Sequence, residues 1–374
     1  MKLAIIRKRY TPFGGAERFI VDLTQRLVAQ NIEITLISST WNGPSVAGVR
    51  WIRADAIGLT RYGRERSFQR SVQRVLSQNK FDIVQSHERV IGADIYRLGD
   101  GIHRGWLDRY RGDLSSWRKL TSRLDPFHNR LLSLESIIAR DAKCLFVANS
   151  QMIKDELIRY YGTGESQIRI IRNGVDENFF RPPLDAERQD SRGKFKVHHN
   201  AKVVSAIGSG YERKGFFNLV KSLTKLPEHI LFIAGKDKLQ GKLQLLVNQL
   251  GLSDRVRLLG GTNDVRSIYW ASDVFCLPSL YDPSSNAVLE ALSSGLPVVT
   301  TEHVGTGTEI NQWGAGKICL RDPVSIADAI KSTIDHQAIM SKLARLLAEK
   351  FSQEEVIREW QSLYAHIIAS RLRE

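Results

Sequence analysis

Two carboxylates, Asp282 and Glu290, bracket the segment Asp282-Pro283-Ser284-Ser285-Asn286-Ala287-Val288-Leu289-Glu290, the densest group of chemically capable residues in the chain. Asp282 is suited to cap a helix whose first position is Pro283, which lacks the N–H that would go unpaired there. Ser284, Ser285 and Asn286 then put small polar groups and unpaired backbone N–H groups in the first turn, a chemistry that binds phosphate. Glu290, two turns further on, can accept a hydrogen bond from a sugar hydroxyl. A well-capped helix ending at Gly295 would account for the same residues without any ligand.

A second constellation is Gly208-Ser209-Gly210-Tyr211-Glu212-Arg213-Lys214-Gly215. Arg213 supplies a planar fork and Lys214 a point charge, which together suit a diphosphate; a solvated pair of loop cations is the plain alternative. Gly14-Gly15 follow the first apolar run and open a helix predicted over 16–30, where glycine lets a ligand approach the backbone. A simple tight turn would need the same pair, and the spacing is not that of a dinucleotide-binding fingerprint. His87, just after another apolar run, is a further polar candidate, although a lone histidine is more often structural.

These groups can act together only if strand ends collect them, and the chain is patterned to do so. Short apolar runs at Leu3–Ile6, Ile32–Ser38, Phe81–Gln85 and Cys144–Asn149 read as strands of a parallel sheet, each followed by a helix-length segment. A second series comes later at Val203–Gly208, Ile230–Gly235, Val256–Gly260, Val274–Pro278 and Pro297–Thr301. The polar stretch 181–200, punctuated by Pro182-Pro183, reads as a linker region. The pattern predicts an α/β protein of two doubly wound, Rossmann-like domains, with ligand in the crevice where carboxyl ends of strands face each other. The expected domains are 1–175, with a C-terminal helix of about 353–374 packing back on it, and 176–352. A last helix over 353–374 begins after Ser352, takes Glu355 as capping-box partner, and carries Val356, Trp360, Leu363, Tyr364, Ile367 and Ile368 on one face.

Composition narrows the class. The 374 residues are 42% hydrophobic and 25% charged, which excludes disordered, collagenous and coiled-coil proteins and suits two domains. Three well-separated cysteines, Cys144, Cys276 and Cys319, supply neither a disulfide framework nor a paired metal-ligand motif, so a reducing compartment is expected. The apolar run at the N-terminus is too short for a signal peptide, and no run approaches the roughly 20 apolar residues of a membrane span. A cytoplasmic protein, soluble or on a membrane surface, is the expectation. The formal charge of +14 is uneven: residues 1–170 carry 28 basic and 17 acidic side chains, against 26 and 23 in 171–374.

Taken together, the motifs resemble the retaining nucleotide-sugar glycosyltransferases of family 4 with the GT-B fold. The resemblance rests on Pro12-Phe13-Gly14-Gly15, the 208–215 stretch, Asn173-Gly174-Val175-Asp176, the Asp282-x7-Glu290 block and Gly295-Leu296-Pro297-Val298-Val299. Relatives usually carry Glu where Asp282 stands. The resemblance implies that Glu290 binds the ribose and Asp282 the transferred sugar, while Ser285, Asn286, Arg213, Lys214 and the Gly14-Gly15 loop contact the diphosphate. It places the base between the loop after Gly235 and the backbone near Gly260. Within the family, Tyr10-x-Pro12-Phe13-Gly14-Gly15-x-x-Arg18 and Ala93-Asp94-Ile95-Tyr96-x-x-x-Asp100 are similar to lipopolysaccharide-core glucosyltransferases, which puts Asp100 on the acceptor side of the reaction centre.

The same resemblance implies a donor sugar nucleotide such as UDP-glucose, an inner-core heptose of lipopolysaccharide as acceptor, and front-face attack with retention. No cofactor and no metal are expected, because Arg213, Lys214 and a helix N-terminus can stabilise the leaving diphosphate. Stretch 103–130 mixes Arg104, Arg109, Arg111, Arg118, Lys119, Arg123 and Arg130 with Trp106, Tyr110, Trp117 and Phe127, and 61–74 adds Arg61, Arg64, Arg66, Arg70 and Arg74. Such a mixture suits an interfacial helix on the anionic inner face of the cytoplasmic membrane. Transfer of N-acetylglucosamine or heptose to another glycan is the near alternative. A nucleic-acid-binding protein would explain the charge but leaves the Asp282-x7-Glu290 block without a purpose, so no nucleic acid is expected as a partner.

Overall fold

The computed structural model describes residues 1–10, 15–41, 47–112 and 116–371. The chain divides into two compact units. The N-terminal unit is Met1–Arg172 together with the segment from Ile357 onward, and the C-terminal unit is Asn173–Val356.

The N-terminal unit is built on β1 (Lys2–Ile6), β3 (Glu33–Ser38), β5 (Val49–Arg53), β6 (Ile83–Ser86), β7 (Ile95–Arg97), β8 (Leu145–Ala148) and β9 (Ile168–Ile170). All pair in parallel, in the order β5-β3-β1-β6-β7-β8-β9. Two short strands, β2 (Arg9–Tyr10) and β4 (Thr40–Trp41), pair separately. Leu3, Ala4, Ile5 and Ile6 are all fully buried, as a strand covered by helices on both faces requires.

The C-terminal unit repeats the design with β10 (Lys202–Ile207), β11 (His229–Ala234), β12 (Val256–Gly260), β13 (Val274–Leu277), β14 (Val298–Thr300) and β15 (Gly316–Ile318). Their order is β12-β11-β10-β13-β14-β15, again all parallel. Val203, Val204, Leu231, Phe232, Val274, Phe275, Val298 and Val299 are sealed into one core. Each unit is therefore a Rossmann-like parallel sheet, and together they make the expected GT-B fold.

The stretch 181–200 is not a linker. Asp185–Lys194 is a helix, held because Arg188 and Arg192 both reach the Asp273 carboxylate, at 2.5 and 2.8 Å, while Val203 N–H donates to the same group at 2.7 Å. Its polar sequence reflects ion-pair anchoring in place of an apolar stripe. The final helix, Gln353–Arg371, starts in the C-terminal unit and ends in the N-terminal one. Glu355 N–H donates to Ser352 Oγ at 3.3 Å, and Trp360, Leu363 and Tyr364 are buried. Among the described residues, no helix is long and apolar enough to cross a membrane. Cys144, Cys276 and Cys319 are buried free thiols.

Candidate active site

In each sheet the first strand lies between the second and the fourth in chain order, so the topology reverses between β1 and β6 and between β10 and β13. Connections leave such a point in opposite directions and open a crevice at the carboxyl ends of the strands, where ligands bind. The candidate residues gather at these two places.

At the C-terminal switch point, β10 ends at Ile207 and the chain turns through 208–215 into the helix Phe216–Ser222. Gly208 has φ +145°, and a Cβ there would lie 2.5 Å from Lys214 Cε. Gly215 has φ +77°, and its Cβ would lie 2.2 Å from the Pro278 carbonyl oxygen. Glycine at these positions brings the loop hard against β13 and folds Lys214 over it. Asp237 Oδ2 accepts from the N–H groups of Gly210 and Tyr211 at 2.6 and 3.1 Å, fixing the turn. Partial desolvation would raise the Asp237 carboxyl, but the N–H groups of Leu239, Tyr211 and Gly210 together hold it below the usual carboxylate range.

The loop after β13 meets this turn. Lys214 Nζ donates to Asp282 Oδ2 at 3.1 Å, and both side chains are buried. Arg213, more exposed, donates to the Tyr281 carbonyl at 2.8 Å and stands 3.6 Å from the same Asp282 oxygen. Among the described residues, both cations approach Oδ2, which leaves Oδ1 available to a hydroxyl. Asp282 does not cap a helix starting at Pro283. Its backbone bridges to Val304 and its carboxylate is taken by the cations, so the helix starts three residues later, at Asn286, with Ser285 as N-cap. Asn173 Nδ2 donates to Asn286 Oδ1 at 2.7 Å and lies 3.2 Å from the Ser284 carbonyl, which pins this entry. Glu290, further along the helix, accepts from Tyr269 Oη at 2.9 Å. Gly235 N–H donates to the Gly260 carbonyl at 2.7 Å, so the two segments expected to flank a base lie side by side.

The N-terminal switch point holds His87, immediately after β6 and buried. Its ring stands 2.9 Å from Gln85 Nε2. Burial, then the Arg97 and Arg7 guanidinium groups, hold its pKa well below the ordinary histidine range, so the ring is neutral. Asp100 is exposed and pairs with Arg7 at 3.1 Å, while Arg7 also stands 3.5 Å from Glu88. Partial desolvation would raise the Asp100 carboxyl, but Arg7, Arg89 and Arg97 hold it below its usual range. Gly15 opens the helix Gly15–Val28, and Gly14 lies outside the described residues. Sequence reasoning missed Arg7, Arg97, Asp237 and Tyr269. Arg7 could have been found from its place one residue past the first strand, whereas the other three are brought in by folding.

The two basic stretches join on the N-terminal unit. Residues 103–130 form the helices His103–Gly112 and Ser116–Leu124 and the start of Pro126–Ala139, not one interfacial helix. Arg61 donates to Asp125 at 3.1 Å and lies 4.8 Å above the Phe127 ring. Trp106 stacks between His103 and Tyr110, at 5.5 and 4.9 Å, so these rings satisfy one another, and the exposed apolar side chains in or near the two stretches include Ile57, Leu59, Tyr62, Leu120 and Leu124. Among the described residues, no group of three His, Cys, Asp or Glu side chains is placed to hold a metal ion.

Comparison with known proteins agrees with this architecture. Residues 13–179 match the family described as Glycosyltransferase Family 4, and residues 187–352 match Glycosyl transferases group 1. The chain is 25% identical over 333 residues to lipopolysaccharide glucosyltransferase WaaG of Escherichia coli (strain K12), covering 87% of this chain and 86% of that one. It is 28% identical over 359 residues to the lipopolysaccharide core biosynthesis glycosyltransferase LpsE of Rhizobium meliloti (strain 1021), covering 94% and 96%. The crystal structure of WaaG superposes with a TM-score of 0.84 at 19% identity, over 97% of this chain and 99% of the other. Anabaena HepE, solved in complex with UDP and glucose, superposes with a TM-score of 0.77 at 17% identity, over 98% and 100%. With one glycosyltransferase family matched in each half and the fold shared with both solved structures, the chain is a glycosyltransferase of the GT-B fold.

Proposed function

We propose that this glycosyltransferase moves glucose, with retention of configuration and without a metal, from UDP-glucose to an inner-core heptose of lipopolysaccharide at the cytoplasmic membrane face. The observation that carries the reading is the convergence of Arg213, Lys214 and Asp282 from two separate loops on one switch point, with Glu290 fixed by Tyr269 on the helix beyond. Arg213 and Lys214 would draw the diphosphate, Asp282 Oδ1 would hold a sugar hydroxyl, and Glu290 would accept from the ribose. Ser285 and Asn286 would present backbone N–H groups at the helix start, where anions are favoured. The similarity to WaaG and LpsE supports the lipopolysaccharide acceptor, and the HepE complex supports UDP.

In the proposed reaction the bond from the anomeric carbon to the diphosphate breaks as the acceptor oxygen attacks from the same face. The acceptor's proton passes to the departing diphosphate oxygen. Charge builds on that diphosphate, and fixed cations stabilise it most when water is excluded, which the burial of Lys214 favours. On the N-terminal unit, Asp100 and His87 are the acceptor-side groups. The exposed apolar residues Leu59, Leu120 and Leu124, with Arg66, Arg118 and Arg123 near them in sequence, suit an anionic bilayer surface.

Thermal unfolding in buffer containing EDTA tests the donor and metal assignments together. UDP and UDP-glucose at a hundredfold excess over Kd should stabilise the protein by about 2.7 kcal/mol, while GDP and ADP should shift it far less. A melting temperature unmoved by any nucleotide would overturn the donor site. A shift that needs added magnesium would overturn metal independence.

A further inference from the structure

Three buried polar side chains of the N-terminal unit stand in a row. Tyr364 Oη donates to Gln85 Oε1 at 2.6 Å, and Gln85 Nε2 lies 2.9 Å from His87 Nε2. Tyr364, Gln85 and His87 are all buried. An amide nitrogen carries two donors and no acceptor, so His87 Nε2 must accept and the ring proton must sit on Nδ1. The opposite orientation of the amide would present its nitrogen to Tyr364. Among the described residues Gln85 is the hydrogen-bond partner of Tyr364, so that orientation would strand a buried phenol O–H at the full desolvation cost of the group.

We propose that Tyr364, acting through Gln85, is a positioning residue that fixes His87 as an Nδ1–H donor on the acceptor side of the transfer reaction. The proposal rests on the acceptor-side reading of His87. Burial and the neighbouring arginines keep the ring neutral, and burial pushes the Tyr364 hydroxyl up, so the donor–acceptor sense of the row holds across the physiological range. Neutral and tied at Nε2, His87 serves as a hydrogen-bond donor to a substrate oxygen and not as a base. The residue that sets this state comes from the last helix of the chain, 277 positions after His87 in sequence.

The tautomer is read directly by nitrogen-15 NMR of histidine-labelled protein, alongside steady-state transfer kinetics. In the natural sequence, His87 should carry its proton on Nδ1. Tyr364→Phe, which keeps the ring and removes the hydroxyl, should release that preference and lower kcat about tenfold with the donor KM unchanged. Gln85→Glu keeps an acceptor for Tyr364 but offers His87 an oxygen, so it should move the ring proton to Nε2 even where Tyr364→Phe folds poorly. An Nε2–H ring in the natural sequence, or an unchanged tautomer and rate in both variants, overturns the proposal. Full transfer activity in His87→Ala overturns the acceptor-side reading beneath it, a failure distinguished from the first because the tautomer signals of the other proteins would still follow the row.

Discussion

Removing the Lys214 ammonium leaves the Asp282 carboxylate buried beside Arg213, whose side chain is 39% exposed and stands 3.6 Å away. The same change removes a cation from the place where diphosphate charge would develop. Lys214→Ala should therefore lower kcat by about 10²–10³, the effect of deleting one preorganised transition-state donor. Steady-state kinetics on UDP-glucose check this, and a loss below threefold would mean that the ammonium serves Asp282 alone. At this scale the two loops that meet at the C-terminal switch point were legible because their residues are contiguous: 208–215 and 282–290 each carry their polar groups in one short run. Arg7, Asp237, Tyr269 and the Gln85–Tyr364 pair were not, because each acquires its role from a partner tens to hundreds of positions away.

Among the elements, the helix Asp185–Lys194 is the clearest departure from expectation. Its segment has Pro182-Pro183 before it and few apolar residues, the usual signs of a connection. What makes it a helix packed on the C-terminal unit is Asp273, which receives Arg188, Arg192 and the Val203 N–H at once. Asp273→Ala would leave both guanidinium groups without their anion. It should cost about 3 kcal/mol of stability, measurable by urea unfolding, with the donor KM unchanged in the folded protein. A loss under 1 kcal/mol would show that apolar packing, not the ion pairs, holds the helix. Short strands were lost for a related reason. Strand β5 reads Val-Arg-Trp-Ile-Arg at a sheet edge, and β7, β9 and β15 have three residues each, too few for periodicity to register. The long apolar strands of both sheets were read from their sequence because burial on both faces leaves few residue types possible.

At the scale of the molecule, the uneven charge has a physical address. The surplus of the first 170 residues meets exposed leucines where Arg61 joins the helices of 103–130. The protein should co-sediment with vesicles containing anionic phospholipid and not with neutral ones. Each cation near the surface contributes about 1 kcal/mol, so raising the salt should release the protein. Replacing Leu120 and Leu124 together by Asp should abolish sedimentation while leaving transfer to a lipid-free acceptor intact. Equal binding to neutral and anionic vesicles would remove the basic surface from the account.

The division of the chain has a consequence for its synthesis. The C-terminal unit is one uninterrupted stretch, but the N-terminal unit is completed by residues from Ile357 onward, including the fully buried Trp360. On a ribosome, the part made first is thus the part finished last. At about 5–20 residues per second, the first 172 residues wait some 10–40 s for the helix that closes their core and orders Gln85. During that interval the later-made unit can reach its native form while the earlier one exposes the apolar surface that Trp360 and Tyr364 will cover. A truncated or stalled chain would accordingly fail first in its N-terminal half, the half already complete in sequence.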